Sequence, residues 1–287
     1  MRYATAAAFR MALEERIKQR STAEGTALWR MRKRVAFERL LARLQAPPNS
    51  PWLLKGAFAL DLRFRDRARS TKDADLSIDV SLVGAALLAD AKIAELLREA
   101  AAFPLQDFFI FSIPGEGEEV SHEKGSPTYR FTVHSALAGR LFEELKVDIS
   151  TRQEFVAPIE EVPESDALTF AGIVPRRFRA ISLSQQLAEK VHAFTFQWED
   201  RENTRVKDLV DLVLILEMSP PDPKTTRTAV EAVFNGRATH PLPANSPSPP
   251  ASWSGSYTAI AAELTLTHTT IEDATRFLGQ YWAKLFP

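Results

Sequence analysis

Cysteine is absent from the 287 residues, which removes disulfides, thiolate metal sites and cysteine nucleophiles together. A reducing cytoplasm, the expected location, is consistent with that absence. Charge of one sign is missing too: 36 Lys and Arg stand against 37 Asp and Glu, a formal net charge of -1. Any nucleic-acid surface must therefore be a local patch. There is no long hydrophobic run. The longest, Leu209 to Leu216, is interrupted by Asp211 and is too short to cross a bilayer, so no membrane partner is expected. Met1 to Phe9 is mildly apolar, but Arg10, Glu14, Glu15, Arg16 and Lys18 follow at once, as in an amphipathic helix rather than a secretion leader. Walker-type loops, dinucleotide fingerprints and nucleophile elbows are lacking. The five histidines (His122, His134, His192, His240, His268) have no metal-ligand spacing. What is present, 45% hydrophobic and 25% charged residues, suits a soluble globular protein with a sizeable core.

The richest segment is Arg69-Ser70-Thr71-Lys72-Asp73-Ala74-Asp75-Leu76-Ser77-Ile78-Asp79-Val80. Strict alternation from Asp73 predicts a half-buried strand with the Asp73 and Asp75 carboxylates on one face. Taken alone, such a pair is more often a wet strand edge than a site. The other reading is an oxygen-seeking divalent cation between the two acids.

The surrounding chain reads as an α+β fold. Residues 4–44 are predicted as helix in two pieces, stopped by Pro47-Pro48-Asn49-Ser50-Pro51. Trp52-Leu53-Leu54 is a short strand, Lys55-Gly56-Ala57 a turn, and Phe58 to Phe64 a helix whose free N–H groups suit a phosphate. A helix over 82–102, a strand over 106–113 and a polar loop over 115–126 come next. Two alternating stretches follow, Tyr129 to His134 and Leu145 to Ser150; in the second, Lys146 and Asp148 point away from the apolar face. After Pro175 only helices are predicted, over 184–198, 204–218 and 271–285, with a Pro/Ser-rich flexible loop at 240–255. The expected parts are a helical segment (1–46), a mixed-sheet core (47–178) and a helical C-terminal domain (179–287).

Two charges sit where apolar residues belong. Lys190 falls inside the stripe Leu183, Leu187, Val191, Phe194, where a lysine ordinarily snorkels to solvent and otherwise reaches into a cleft. Asp211 interrupts a helix apolar nearly all round and needs a partner. Lys207 one turn away and Lys190 across the helix interface are the candidates.

These pieces resemble the AbiEii/AbiGii toxin family of nucleotidyltransferases, in the DNA polymerase β-like superfamily. The matching segments are Leu54-Lys55-Gly56-Ala57-Phe58-Ala59-Leu60, Arg69 to Leu76, Lys146-Val147-Asp148-Ile149, Ala188-Glu189-Lys190-Val191-His192-Ala193 and Arg205-Val206-Lys207-Asp208-Leu209-Val210-Asp211-Leu212, fading beyond about residue 220. The resemblance implies a mixed sheet flanked by helices with a helical part closing the cleft. It implies that Asp73 and Asp75 hold Mg²⁺, or Mn²⁺ in its place, on a nucleoside triphosphate, with Asp148 ligating a second metal. Lys190 would lie against the phosphates, and Asp211 would orient Lys190 or meet the nucleotide. Lys55, Gly56, Ala57, Arg69, Thr71, Lys146, Lys207 and Asp208 complete the expected nucleotide site. The superfamily's glycine turn is often followed by Ser, and this family often has two glycines; Gly56-Ala57 offers no hydroxyl.

The implied function is that of a toxin moving a nucleotide onto an RNA, with the tRNA acceptor end as the expected position, opposed by a separately encoded antitoxin. Basic runs at 30–34, 63–69 and 176–179 fit an RNA partner. Phosphorylation at Ser70 or Thr71 would add about two negative charges beside the acids, a route to neutralisation. The alternatives are a protein or small-molecule acceptor, such as an aminoglycoside, and a non-catalytic nucleotide-binding module.

Overall fold

The computed structural model describes residues 1–83, 90–120, 127–151 and 158–287. Parts of the helix expected over 82–102 and of the loop expected over 115–126, with His122, lie outside the described residues. Two helices open the chain, α1 (Ala6–Glu24) and α2 (Leu28–Leu44). The Thr5 hydroxyl accepts from the Ala8 N–H at 3.2 Å and caps α1. Gly25, at φ +64°, ends it in the left-handed cap that glycine adopts most readily.

Strand β1 (Trp52–Lys55), helix α3 (Gly56–Phe64) and strand β2 (Asp73–Ile78) realise the strand–turn–helix–strand unit. The short α4 (Val80–Val83) and α5 (Asp90–Ala101) follow, then β3 (Phe109–Ser112), β4 (Glu118–Glu119), β5 (Thr128–Leu137) and β6 (Arg140–Ser150). Strands β7 (Ile159–Pro163) and β8 (Arg177–Ile181) were not expected from sequence. They are short and charged, and pair through contacts such as Arg177 to Glu161 at 2.8 Å. The arginines of β8 masked its alternation. This strand crosses residue 178, so the helical part begins only at Leu183, with α6 (Leu183–Thr195). Helices α7 (Val206–Met218), α8 (Pro223–Arg237), α9 (Ser254–Glu263) and α10 (Ile271–Leu285) complete it. Helices α8 and α9 were missed, α9 because Ser254 and Gly255 open it inside sequence that reads as loop.

The strand order is β3-β5-β6-β2-β1-β8-β7, with β4 also on β5. The β2–β6 and β1–β8 pairs are parallel and the others antiparallel, which makes the sheet mixed. One sheet face, including Ala74, Leu76, Phe131, Val133, Val147 and Ile149, packs with Phe9, Leu13, Leu40 and Leu41 of α1 and α2. Period-2 alternation leaves Asp73, Asp75 and Asp148 on the other face. A second core joins α6 to α10 through residues such as Leu187, Val191, Val213, Tyr257 and Trp282, and takes in Leu60 of α3. The open sheet face and the helical part thus meet around α3 and α6. No helix among the described residues is long and apolar enough to cross a membrane.

Candidate active site

Register places four charges side by side across four strands. Lys55 of β1 pairs with Asp75 of β2, Asp75 with Asp148 of β6, and Asp148 with Arg130 of β5. Directly opposed residues on one face have Cβ atoms about 5 Å apart. Two carboxylates therefore stand together, flanked by one cation at each end. Burial pushes the Asp75 carboxyl up to about 6, with Asp148 and Asp73 adding to the effect and Lys55 and Lys190 opposing it. Such a carboxyl is short of positive charge, and a hard divalent cation suits it. Among the described residues, no three Asp, Glu, His or Cys side chains already form a cation cage. Asp73 sits at the rim, half exposed, with Oδ2 3.8 Å from Arg130.

Gly56 opens α3 at φ +66° directly against Asp75. A Cβ there would lie 2.6 Å from Asp75 Cγ and 2.8 Å from its Cβ, so only glycine lets this turn and this acid coexist. The Gln186 Nε2 donates to the Gly56 carbonyl at 2.6 Å and braces the turn from α6.

The cleft beside these residues encloses about 240 Å³, and its wall includes Lys55, Gly56, Ala57, Arg69, Asp75, Asp148, Lys190 and Asp208. Lys190 does not snorkel: its ammonium donates to Asp211 at 2.6 Å and to Asp208 at 3.0 Å, inside the protein. Packing of α6 on α7 closes the route to water that a surface stripe would have left. Asp211, fully buried, also accepts two bonds from Arg69 at 3.0 and 2.9 Å. Burial alone would raise the Asp211 carboxyl; Lys190 and Arg69 overcome it and hold it below the usual range. At Lys190, burial and the nearby Arg69 disfavour the charge, but Asp211 and Asp208 outweigh them and hold the ammonium above the ordinary lysine value. The partner of Asp211 is therefore Lys190, with Arg69, and not Lys207, which is exposed.

Lys55 donates to Glu189 at 2.9 Å, and Arg237 lies 3.8 Å from the same carboxylate. Burial favours the neutral acid, yet these two cations hold the Glu189 carboxyl down to about 2. Glu189, Gln186, Arg205, Arg237 and Arg130 are the site residues that a motif-by-motif reading left unassigned. Arg130 had a signal, since it alternates on its strand with the parity that faces the acids. Arg237 had none, coming from the end of α8. Lys146 instead donates to Thr132 at 2.7 Å and lies 3.2 Å from Glu144, outside the cleft. Thr71 turns its hydroxyl to the Asp73 backbone, donating to the carbonyl at 2.8 Å and fixing the start of β2.

The basic runs are largely spent within the fold. Arg30 and Arg34 bind Asp61 at 2.8 and 2.7 Å, and Arg32 and Lys33 donate to carbonyls of β6. Arg63 binds Glu160 at 2.5 Å, Arg67 the Thr265 carbonyl, and Arg179 the Ser50 carbonyl. The run over 30–34, which fitted an RNA partner in sequence, is thus engaged by Asp61 and by carbonyls of β6.

Paired acids on a mixed sheet and a buried lysine in the wall of the cleft fit the class that the family match shows: this is a nucleotidyltransferase. More specifically, the chain belongs to the AbiEii nucleotidyl transferase toxin family of type IV toxin–antitoxin systems, whose model matches residues 39–280. The match runs well past residue 220, where the likeness was expected to fade; helices α8 to α10 belong to the family's fold. Among solved structures, the chain is similar to MenT4, a nucleotidyltransferase toxin from Mycobacterium tuberculosis H37Rv, with a TM-score of 0.58 at 14% identity. The alignment covers 95% of this chain and 89% of that one, and it speaks to the fold alone. No curated protein matches the chain by sequence.

Proposed function

We propose that this toxin moves a nucleoside monophosphate from a nucleoside triphosphate onto an RNA, with the tRNA acceptor end as the acceptor, in a reaction that depends on Mg²⁺ or Mn²⁺. The observation that carries this reading is the register of Asp75 against Asp148 on the floor of a cleft walled by Lys190. Asp73 and Asp75 would hold a divalent cation, which when bound supplies positive charge to the phosphate oxygens, and Asp148 would help to hold a second. Lys190, locked by Asp208 and Asp211, presents a fixed ammonium to the phosphates. Lys55, Gly56 and Ala57 line the same space, so backbone donors of this turn would serve where the superfamily often has a hydroxyl. Asp211 acts by orienting Lys190 and Arg69. An antitoxin encoded separately would restrain the activity.

A second reading keeps the chemistry and changes the acceptor to a protein or small molecule. It is favoured by the internal pairing of the basic runs, which leaves less cationic surface for RNA. Purified protein, Mg²⁺ and each labelled nucleoside triphosphate are incubated with total cellular RNA, with protein lysate and with small solutes. Label on tRNA is the expected result. Unlabelled RNA alongside labelled protein or solute would transfer the conclusion to the second reading.

A further inference from the structure

The Asp75–Asp148 pair is not symmetric. Lys55, beside Asp75, turns its ammonium away to Glu189 at 2.9 Å. Arg130, beside Asp148, does the opposite. Its Nε donates to Asp148 Oδ1 and its Nη2 to Oδ2, each at 2.8 Å, in the bidentate geometry that makes guanidinium–carboxylate pairs strong. The same guanidinium lies 3.8 Å from Asp73 Oδ2. One planar cation thus bridges the two carboxylates that flank Asp75.

Backbone pairing fixes this arrangement. Arg130 and Asp148 are register partners in the antiparallel β5–β6 ladder, the longest in the sheet. An arginine guanidinium stays charged throughout the accessible pH range. It is therefore a permanent positive charge, and an ion entering on the outer side of Asp148 would have to approach it at close range.

We infer that Arg130 takes the place of a second metal ion: the site binds one divalent cation at Asp75 with the nucleotide, and the guanidinium supplies the other positive centre on Asp148 and Asp73. This rests on the nucleotidyltransferase reading of the same acids and narrows it from two metals to one. No bond is made or broken by Arg130; it neutralises and positions Asp148. A guanidinium cannot lower the pKa of a bound hydroxyl as a metal does, so Asp148 positions the acceptor rather than sharing it with an ion.

The test counts ions. The full-length protein is titrated with Mn²⁺ in the presence of each non-hydrolysable nucleoside triphosphate analogue in turn, and bound ions are counted by electron paramagnetic resonance with calorimetry alongside. One Mn²⁺ in total per chain–analogue complex is expected, the ion that Asp75 and the phosphates share. Arg130→Gln, which keeps the length and removes the charge, should admit a second ion at least tenfold more tightly. Arg130→Lys, which restores the charge, should return the count to one. Unchanged thermal melting of both variants guards against misfolding. Two ions of similar affinity in the native protein, or a count that Arg130→Gln leaves unchanged, overturns the inference while leaving the nucleotidyltransferase reading intact. If Asp75→Asn binds Mn²⁺ as well as the native protein does, the assignment of the acids fails, and the inference fails with it.

Discussion

Two clusters of buried charge lie on opposite sides of the sheet, and they are built to different ends. Behind it, Arg39 and Arg43 of α2 clamp Asp107, while Arg39 also binds Glu164 at 2.8 Å. These four side chains are at most 3% exposed. Nearby backbone groups are drawn in as well: the Phe109 N–H donates to Asp107 at 3.1 Å, the Arg176 N–H to Glu164 at 2.8 Å, and the Phe109 carbonyl accepts from Arg43. On the cleft side, Arg69, Lys190, Asp208 and Asp211 are as tightly bonded at their buried end, yet the cluster opens through Asp208 toward Asp75. The first cluster neutralises itself and is a piece of scaffold. The second leaves a carboxyl wanting charge, which is what a substrate carrying phosphates and a cation can supply. Burial of charge does not distinguish a site from a strut; incomplete neutralisation beside a cleft does.

The sharpest break in that comparison is Asp75→Asn. Nucleotide transfer should fall by at least about 10³-fold, the scale of losing a preorganised electrostatic group. Thermal stability at pH 8 should stay level or rise, because a carboxyl pushed up to about 6 by burial opposes folding once ionised. A variant that lost stability and activity together would place Asp75 with the struts. The converse is Asp107→Ala, which removes the buried carboxylate shared by Arg39 and Arg43 and leaves their two charges on Glu164 and on backbone carbonyls. A loss of about 3–5 kcal/mol in denaturant unfolding is expected. The turnover of the fraction that remains folded should not change.

Glu38 of α2 lies beside the rear cluster and tests it by pH. Burial pushes its carboxyl up to about 7, against the hydrogen bonds from Ser165, whose hydroxyl donates to Oε2 at 2.6 Å. Between the unfolded value near 4.5 and about 7 the folded protein holds a proton that the unfolded chain releases. Stability from this group therefore falls as pH rises through that window and is level above it. The full shift sets an upper bound of about 3 kcal/mol. Chemical unfolding between pH 5 and 8 should show the slope in the native protein and a flatter curve in Glu38→Gln. An equally steep Glu38→Gln curve would assign the slope elsewhere.

Much of the front cluster was legible in sequence because it breaks local rules. Asp211 in an apolar helix demanded a partner, and Lys190, which in its stripe would ordinarily have snorkelled to solvent, supplied it. Asp73 and Asp75 announced themselves by alternation, and Asp148 by the parity of a second strand. The rear cluster obeys no such logic. Arg39, Arg43, Asp107 and Glu164 are ordinary surface-type residues in sequence, and only the packing of α2 under the sheet makes them buried. The same is true of β7 and β8, whose charges pair across the ladder and hide the alternation. Arg130 lies between these cases: its parity was visible, but its partner depended on register, which a single strand does not specify. Lys146 and Lys207 were placed at the site through their neighbours in matched segments; the Lys146 ammonium turns to Thr132 and Glu144, and Lys207 is exposed.

The finest test of the cleft is a pair of glycines that share a backbone and differ in surroundings. Gly25 and Gly56 have φ of +64° and +66°, so an alanine at either meets the left-handed penalty of about 1–2 kcal/mol. Nothing lies within 4 Å of a Cβ built on Gly25, at the end of α1. On Gly56 it meets the Asp75 side chain, which must rotate off the floor of the cleft. Gly25→Ala should therefore lower the melting temperature by a few degrees and leave transfer unchanged. Gly56→Ala should lose comparable stability and, in addition, at least tenfold in transfer, accompanied by weaker Mn²⁺ binding as Asp75 leaves its register with Asp148. Equal activities in the two variants would mean that the turn serves the backbone alone. A selective loss of Mn²⁺ binding in Gly56→Ala would tie the turn to the acid that it touches.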